Sequence, residues 1–274
     1  MNGDITLNPV TIGTRTLDTS TQIMAPSQQA ADAVNVQFYA DSDSFSLVFP
    51  FDFWNCPQEV VTASLLDSAL LIAPIRLDLE SLTGNVVVGN FNRLNFNQAR
   101  MRAYSSKITL GQIDIQGLLD LVTNNNDITL TSVTATQSQI SNAQAAISLQ
   151  GFSTASATIN NVGGAITGST FTILNSATCT ISLSATKSPI SFDSMVFPAS
   201  GSCEVTIRTT SANVTLTTSL FSGSFDISTT GNGVVTIPSS SCGPSTSSCS
   251  GTVGLGSHRL VVQTTAQNVY VKLL

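Results

Sequence analysis

Short apolar–polar–apolar triplets recur along this chain at nearly constant intervals. Ile108-Thr109-Leu110, Ile128-Thr129-Leu130 and Ile147-Ser148-Leu149 follow one another at steps of 20 and 19 residues, and a weaker copy, Ala165-Ile166-Thr167, comes after another 19. Ile181-Ser182-Leu183 and Val205-Thr206-Ile207 continue the series at less regular steps of 15 and 24. Each triplet has the period-two alternation of a strand with one buried face. Second strands follow after a turn, at Gln112-Ile113-Asp114-Ile115 and Ala157-Thr158-Ile159-Asn160. Corners are marked by Gly117, Asn124-Asn125-Asn126, Gly151, Asn160-Asn161 and Gly163-Gly164, residue types that accept left-handed backbone. A rung of about 20 residues cannot bury its inner face alone, and stacking rungs at about 4.8 Å pairs their backbones and completes a core. The expected fold is therefore all-β, a β-solenoid with rungs of about 20 residues. A Greek-key sandwich also yields short strands with turns, but it does not require a near-constant period.

Composition agrees with strands and excludes several partners. Charged residues make up 9% of the 274-residue chain, and none occurs between Asp127 and Lys187. Ser, Thr, Asn and Gln do the solubilising instead, and they disfavour helix because their side chains compete for backbone hydrogen bonds. A net charge of −6 with a pI of about 4.5 argues against nucleic acid, which needs clustered Lys and Arg. The nearest approach to such a cluster is Arg93, Arg100, Arg102 and Lys107, read as solvated positions beside neighbouring rungs. No apolar run approaches the roughly 18 residues of a membrane-spanning helix, so no membrane span is expected in this segment. The opening Met1-Asn2-Gly3-Asp4-Ile5-Thr6-Leu7 has neither the basic nor the apolar region of a signal peptide. Its Asp-Ile-Thr-Leu core repeats Asp127 to Leu130, which would place the start of the chain inside a rung of a longer precursor.

Residues 105–237 resemble the bacterial-type adhesin domains, the group that includes the head domains of auto-transporter-like adhesins. The stretches that carry the resemblance are Asn126-Asp127-Ile128-Thr129-Leu130, Gly223-Ser224-Phe225-Asp226-Ile227 and Gly231-Asn232-Gly233-Val234-Val235-Thr236-Ile237. The resemblance implies a β-solenoid at a cell surface and carries no catalytic residue across.

Residues 1–71 read as an N-terminal β segment with an aromatic-rich cap or insertion, and residues 72–274 as the solenoid. Phe38, Tyr39, Phe45, Phe49, Phe51, Phe53 and Trp54 place seven aromatics within 17 residues. A cap over exposed strand edges accounts for them. Phe49, Phe51, Phe53 and Trp54 are alternatively an interface, since aromatics concentrate at interfaces, or a stacking platform for sugar rings. Between Pro57 and Leu71, Leu65, Leu66, Leu70 and Leu71 fall on related faces of a short helix.

Catalytic signatures are missing. The single histidine, His258, has no partner motif and is expected on a surface turn. No Gly-x-Ser-x-Gly elbow supports a nucleophilic serine. Zinc-ligand spacing, a phosphate loop and a dinucleotide fingerprint are absent, so neither metal nor cofactor is expected. Asp41-Ser42-Asp43 reads as an acidic turn because the later ligands of a calcium loop do not follow. From residue 108 onward there are only six acidic residues (Asp114, Asp120, Asp127, Asp193, Glu204, Asp226) and four basic ones (Lys187, Arg208, Arg259, Lys272). Convergence of Asp193 and Asp226 on adjacent rungs would be the one route to carboxylate catalysis. The expected function is thus non-enzymatic: an extracellular or cell-surface structural or adhesive protein, possible subunit of a filament, that associates with itself, another surface protein or a glycan. A carbohydrate-binding module or polysaccharide-active enzyme is the alternative. Ice binding is a lesser one, prompted by Thr-x-Thr pairs such as Thr178/Thr180 and Thr215/Thr217.

The cysteines point to an oxidising compartment. Cys179 and Cys203 each precede a triplet by two residues, and equivalent positions on stacked rungs lie within disulfide reach. A Cys179–Cys203 bridge is therefore predicted, with Cys242–Cys249 closing the intervening Gly-Pro turn and Cys56 left unpaired or intermolecular. Asn213-Val214-Thr215 is an N-glycosylation acceptor sequence, and Ser239 to Ser250 suits O-linked sugars.

Overall fold

The computed structural model describes residues 3–10, 21–24, 35–39, 44–48, 59–66, 75–81, 84–92, 95–238, 246–265 and 267–274. The fold is all-β, with stacked parallel coils forming a β-solenoid. The chain divides into two compact units, residues 1–135 and 136–274. The domain boundary expected near residue 72 falls outside the described residues, as do Phe49 to Trp54, Cys56 and Cys242. The segment read as a short helix contains instead the strand Glu59–Leu66, which pairs in parallel with Gly3–Val10. Its Val60, Val61 and Thr62 are β-branched, which favours the pleated conformation over a helix.

Between Ile75 and Thr123 of the first unit the coils have three walls. The triplets Ile5-Thr6-Leu7, Val86-Val87-Val88, Ile108-Thr109-Leu110 and Ile128-Thr129-Leu130 stack in register as the first. The repeated Asp-Ile-Thr-Leu core is therefore a real structural equivalence. A short second wall pairs Asn95-Phe96 with Asp114-Ile115, and a third pairs Gln98 to Ala103 with Leu118 to Thr123. Gly117, read as a corner, lies within the strand Ile113–Thr123, where the register slips by a bulge between Ile115 and Leu118.

The second unit repeats this plan. Its first wall stacks Ile147, Ile166, Ile190 and Val214. Its second joins Phe152, Phe171 and Met195. Its third stacks Ala157, Ile181 and Val205. The triplets at 181 and 205 thus belong to a different wall from those at 147 and 166. That change of wall produces the irregular steps in the sequence, whereas the true rung at 166, 190 and 214 is 24 residues long.

Inward-facing side chains fill the coils. Phe171 packs edge-on against both Phe152 and Phe192, with ring centroids 5.4 and 5.5 Å apart. Gly168 leaves room for the Phe192 ring, since a Cβ there would lie 2.6 Å from Phe192 Cε1. At one inner corner, buried Asn142 and Asn161 satisfy turn backbone. The Asn142 Oδ1 accepts from the N–H of Gln144 and Ala145 at 3.1 and 3.2 Å. Asn161 Nδ2 donates to Ala145 O at 2.8 Å, and Asn161 Oδ1 accepts from Gly164 N at 3.0 Å. Such Asx turns supply buried polar groups with the partners they require.

The end of the second unit departs from sequential stacking. The strand Ser202–Thr209 pairs in parallel with His258–Thr264, and that strand pairs in parallel with Gly223–Thr229. On the first wall, Val214 to Thr217 pair with Val269 to Lys272, and Val269-Tyr270 pair with Val235-Thr236. The coil that comes last in sequence is therefore the middle one of three. Ser248–Val253 then runs antiparallel on the free side of Gly223–Thr229.

Candidate functional site: the outward faces of the coils

Strand alternation that buries one set of side chains necessarily lines up the other set on the outside. In the second unit the outward positions of the first wall form a column of hydroxyls, Ser148, Thr167, Ser191, Thr215, Tyr270 and Thr236. On the third wall, Asn160, Ser184, Arg208, Gln263 and Ser228 form another column. Arg208 Nε donates to Gln263 Oε1 at 3.1 Å. Ser184, Arg208, Gln263 and Ser228, with Thr230 and Thr265, line an open groove. The groove offers donors and acceptors without a carboxylate. Thr178/Thr180 and Thr215/Thr217 stand on different walls, so they do not form one threonine array.

In the first unit the third wall carries a charge ladder. Asp78, Arg100 and Asp120 occupy one column, and Glu80 and Arg102 the next outward one. Arg100 lies 3.8 Å from Asp78 and 3.9 Å from Asp120, and Arg102 lies 3.9 Å from Asp120. Of the four basic residues read as a cluster, Arg100 and Arg102 are thus paired with carboxylates on adjacent rungs. Arg93 lies outside the described residues. Desolvation raises the Asp78 carboxyl above the usual carboxylate range, against the opposing pull of Arg100.

The acidic residues of the second unit do not converge. Asp193 is on Ile190–Val196, which stacks on the first two walls, whereas Asp226 is on Gly223–Thr229 of the third. Glu204 is held by Arg259 at 2.8 Å. Among the described residues, no group of three or more His, Cys, Asp or Glu side chains could hold a metal ion.

His258 is not on a surface turn. It begins a strand and is 4% exposed. Cys203 N donates to its Nδ1 at 3.2 Å. Nδ1 must then be unprotonated, so Nε2–H donates to Pro198 O at 3.0 Å. The ring is a neutral connector between rungs, packed beside Phe197 at 5.4 Å. The Gly-Ser-His-Arg context hid this, because the glycines serve the chain crossing just before the strand.

Cys179 and Cys203 are directly opposed on paired strands and are disulfide-bonded, with Cα atoms 4.6 Å apart. Cys249 is also disulfide-bonded. Asn213 is exposed at a corner, where its Oδ1 accepts from Asn268 N at 3.0 Å. No family model, curated protein or solved structure matches the chain. Among the described residues, no helix is long and apolar enough to cross a membrane.

Proposed function

We propose that the chain is an extracellular structural or adhesive β-solenoid, a building unit of a surface assembly. The observation that carries this reading is the outer surface itself. Its described walls present aligned hydroxyl, amide and mutually neutralised charged side chains, while the carboxylates that catalysis would need stand apart or are paired with arginine. Such a face suits many weak, repeated hydrogen bonds to a polymer or a neighbouring subunit. The rung-to-rung disulfide is weakly consistent with an oxidising compartment. An adhesin-like role and glycan attachment at Asn213 belong to the same reading.

The open groove beside Arg208 favours glycan binding as a second reading, through hydrogen bonds from Arg208, Gln263 and the surrounding hydroxyls. Electron microscopy of the concentrated protein, run beside a glycan array and a polysaccharide-cleavage assay, tests both. Filaments or lateral assemblies without cleavage support the structural reading. Saturable glycan binding by a monomer that Arg208→Ala abolishes favours the second. Turnover of any polysaccharide would overturn the non-catalytic assignment.

A further inference from the structure

The out-of-order coil has an unusual relation to its neighbours. The chain leaves Val214–Ser219, turns through Leu220 to Ser222, and enters Gly223–Thr229 two rungs away instead of one. Leu220 in that turn is left-handed, with φ 60°, and is exposed. The rung passed over is filled later by the segment starting at His258. Its strands pair on both sides with coils that precede it in sequence by about 35 and 55 residues. Buried Leu260, Val262, Val269 and Val271 complete the core between those coils.

The segment enters over a crossing built of small residues. Gly254 is left-handed at φ 66°, and Gly256 N donates to Ser222 Oγ at 2.8 Å. A Cβ on Gly223 would collide with the backbone of His258. Between these glycines Leu255 is fully exposed and packs on nothing. The segment is therefore joined to what precedes it by a short, surface-held linker, and its native contacts are made with coils whose own connection does not pass through it.

We infer that the segment from His258 to Leu274 is an exchangeable element, and that the slot between the 202–219 and 223–236 coils accepts the same segment of a second copy of this chain, parallel and in the same register. Every ladder bond and apolar contact made within one chain is reproduced between two, so exchange costs association entropy and linker rearrangement and no lost contact. Donation by each copy to the next, with no return, gives a head-to-tail series and not a closed pair. The inference deepens the assembly reading above and rests on it.

The registered pair Arg208 and Gln263 provides the test, since both side chains face outward and touch across the slot. Full-length Arg208→Cys and full-length Gln263→Cys are mixed, partly unfolded, returned to native buffer and oxidised. The disulfide-linked peptides are then mapped. The expected result is a shift from monomer to dimer mass carrying the 208–263 link, with a linked fraction that rises with protein concentration. The double variant Arg208→Cys/Gln263→Cys controls for pairing and should form the same link within one chain when dilute. Quantitative intrachain linking with no link between mixed single variants at any concentration would overturn exchange. Failure of the double variant to link would overturn it too, by showing that the register is wrong. Filaments that form without the 208–263 link would sink the inference and leave the assembly reading standing, whereas absence of both would end both.

Discussion

Removing the Cys179–Cys203 bridge should cost a predictable amount of stability. The bridge closes a loop with a sequence separation of 24. For a loop of that length, chain-entropy loss in the unfolded state is about 11.6 cal/mol/K, or about 3.4 kcal/mol at 25 °C. With an m-value of about 4 kcal/mol/M in guanidinium chloride, that corresponds to a midpoint shift of about 0.9 M. The perturbation is Cys179→Ala/Cys203→Ala. Both positions are buried, so alanine avoids stranding a serine hydroxyl in the core. Equilibrium unfolding followed by far-ultraviolet circular dichroism reads the shift. Wild type refolded under reducing conditions should lose at least as much, because the cross-link and not the sulfur packing is the source and the Cys249 bridge is reduced as well. A midpoint displaced by less than about 0.2 M in both cases, under about 1 kcal/mol, would refute the entropic reasoning.

Three further outcomes can be measured directly. Gly168→Ala should lower stability by about 1–3 kcal/mol by denaturant melting, because its Cβ would be 2.6 Å from the Phe192 ring and 2.7 Å from Leu149 O; an unchanged midpoint would mean the ring moves aside freely. His258→Ala should cost about 1–3 kcal/mol for each of the two buried backbone groups it orphans, Cys203 N and Pro198 O, and amide exchange at Cys203 should quicken; retained protection there would contradict the connector role. Asp78 holds its proton more tightly folded than unfolded, so its favourable contribution is full below the unfolded value of about 3.9 and is lost as pH rises through the raised folded value. Asp78→Asn should therefore gain stability relative to wild type as pH climbs from about 4, and a difference that stays constant across a pH series of melts would count against it.

The triplets made the first wall of the coils legible, because alternation reports one buried face wherever it occurs. Alternation does not say which wall a triplet occupies, and Ile181-Ser182-Leu183 looks like Ile147-Ser148-Leu149 although the two stack on different neighbours. The cysteine pairing was legible because Cys179 and Cys203 sit at matching offsets on one wall. His258 was misread because local composition signals the crossing glycines and not the strand that begins behind them. The out-of-order coil left almost no trace. Parallel backbone pairing has little side-chain code, and only the exposed glycine linker and the doubly buried run Leu260-Val261-Val262 mark it.

The rung that is filled last also constrains how the molecule is made. During synthesis the coils from Ile147 to Val214 can settle one upon another as they emerge, each on a finished template. The Gly223–Thr229 strand cannot, since its neighbour toward the earlier coils, His258–Thr264, has not yet been made. Ser248–Val253 can take that strand's outer edge first, but its inner edge stays exposed, or wrongly paired one rung too low, until His258 and the residues after it arrive. Placement of His258–Thr264 then joins the Ser202–Thr209 and Gly223–Thr229 strands through one shared neighbour. Whatever happens during that interval, whether help from a chaperone, a misplaced pairing or capture by a neighbouring nascent chain, is decided by how long some thirty residues take to be translated.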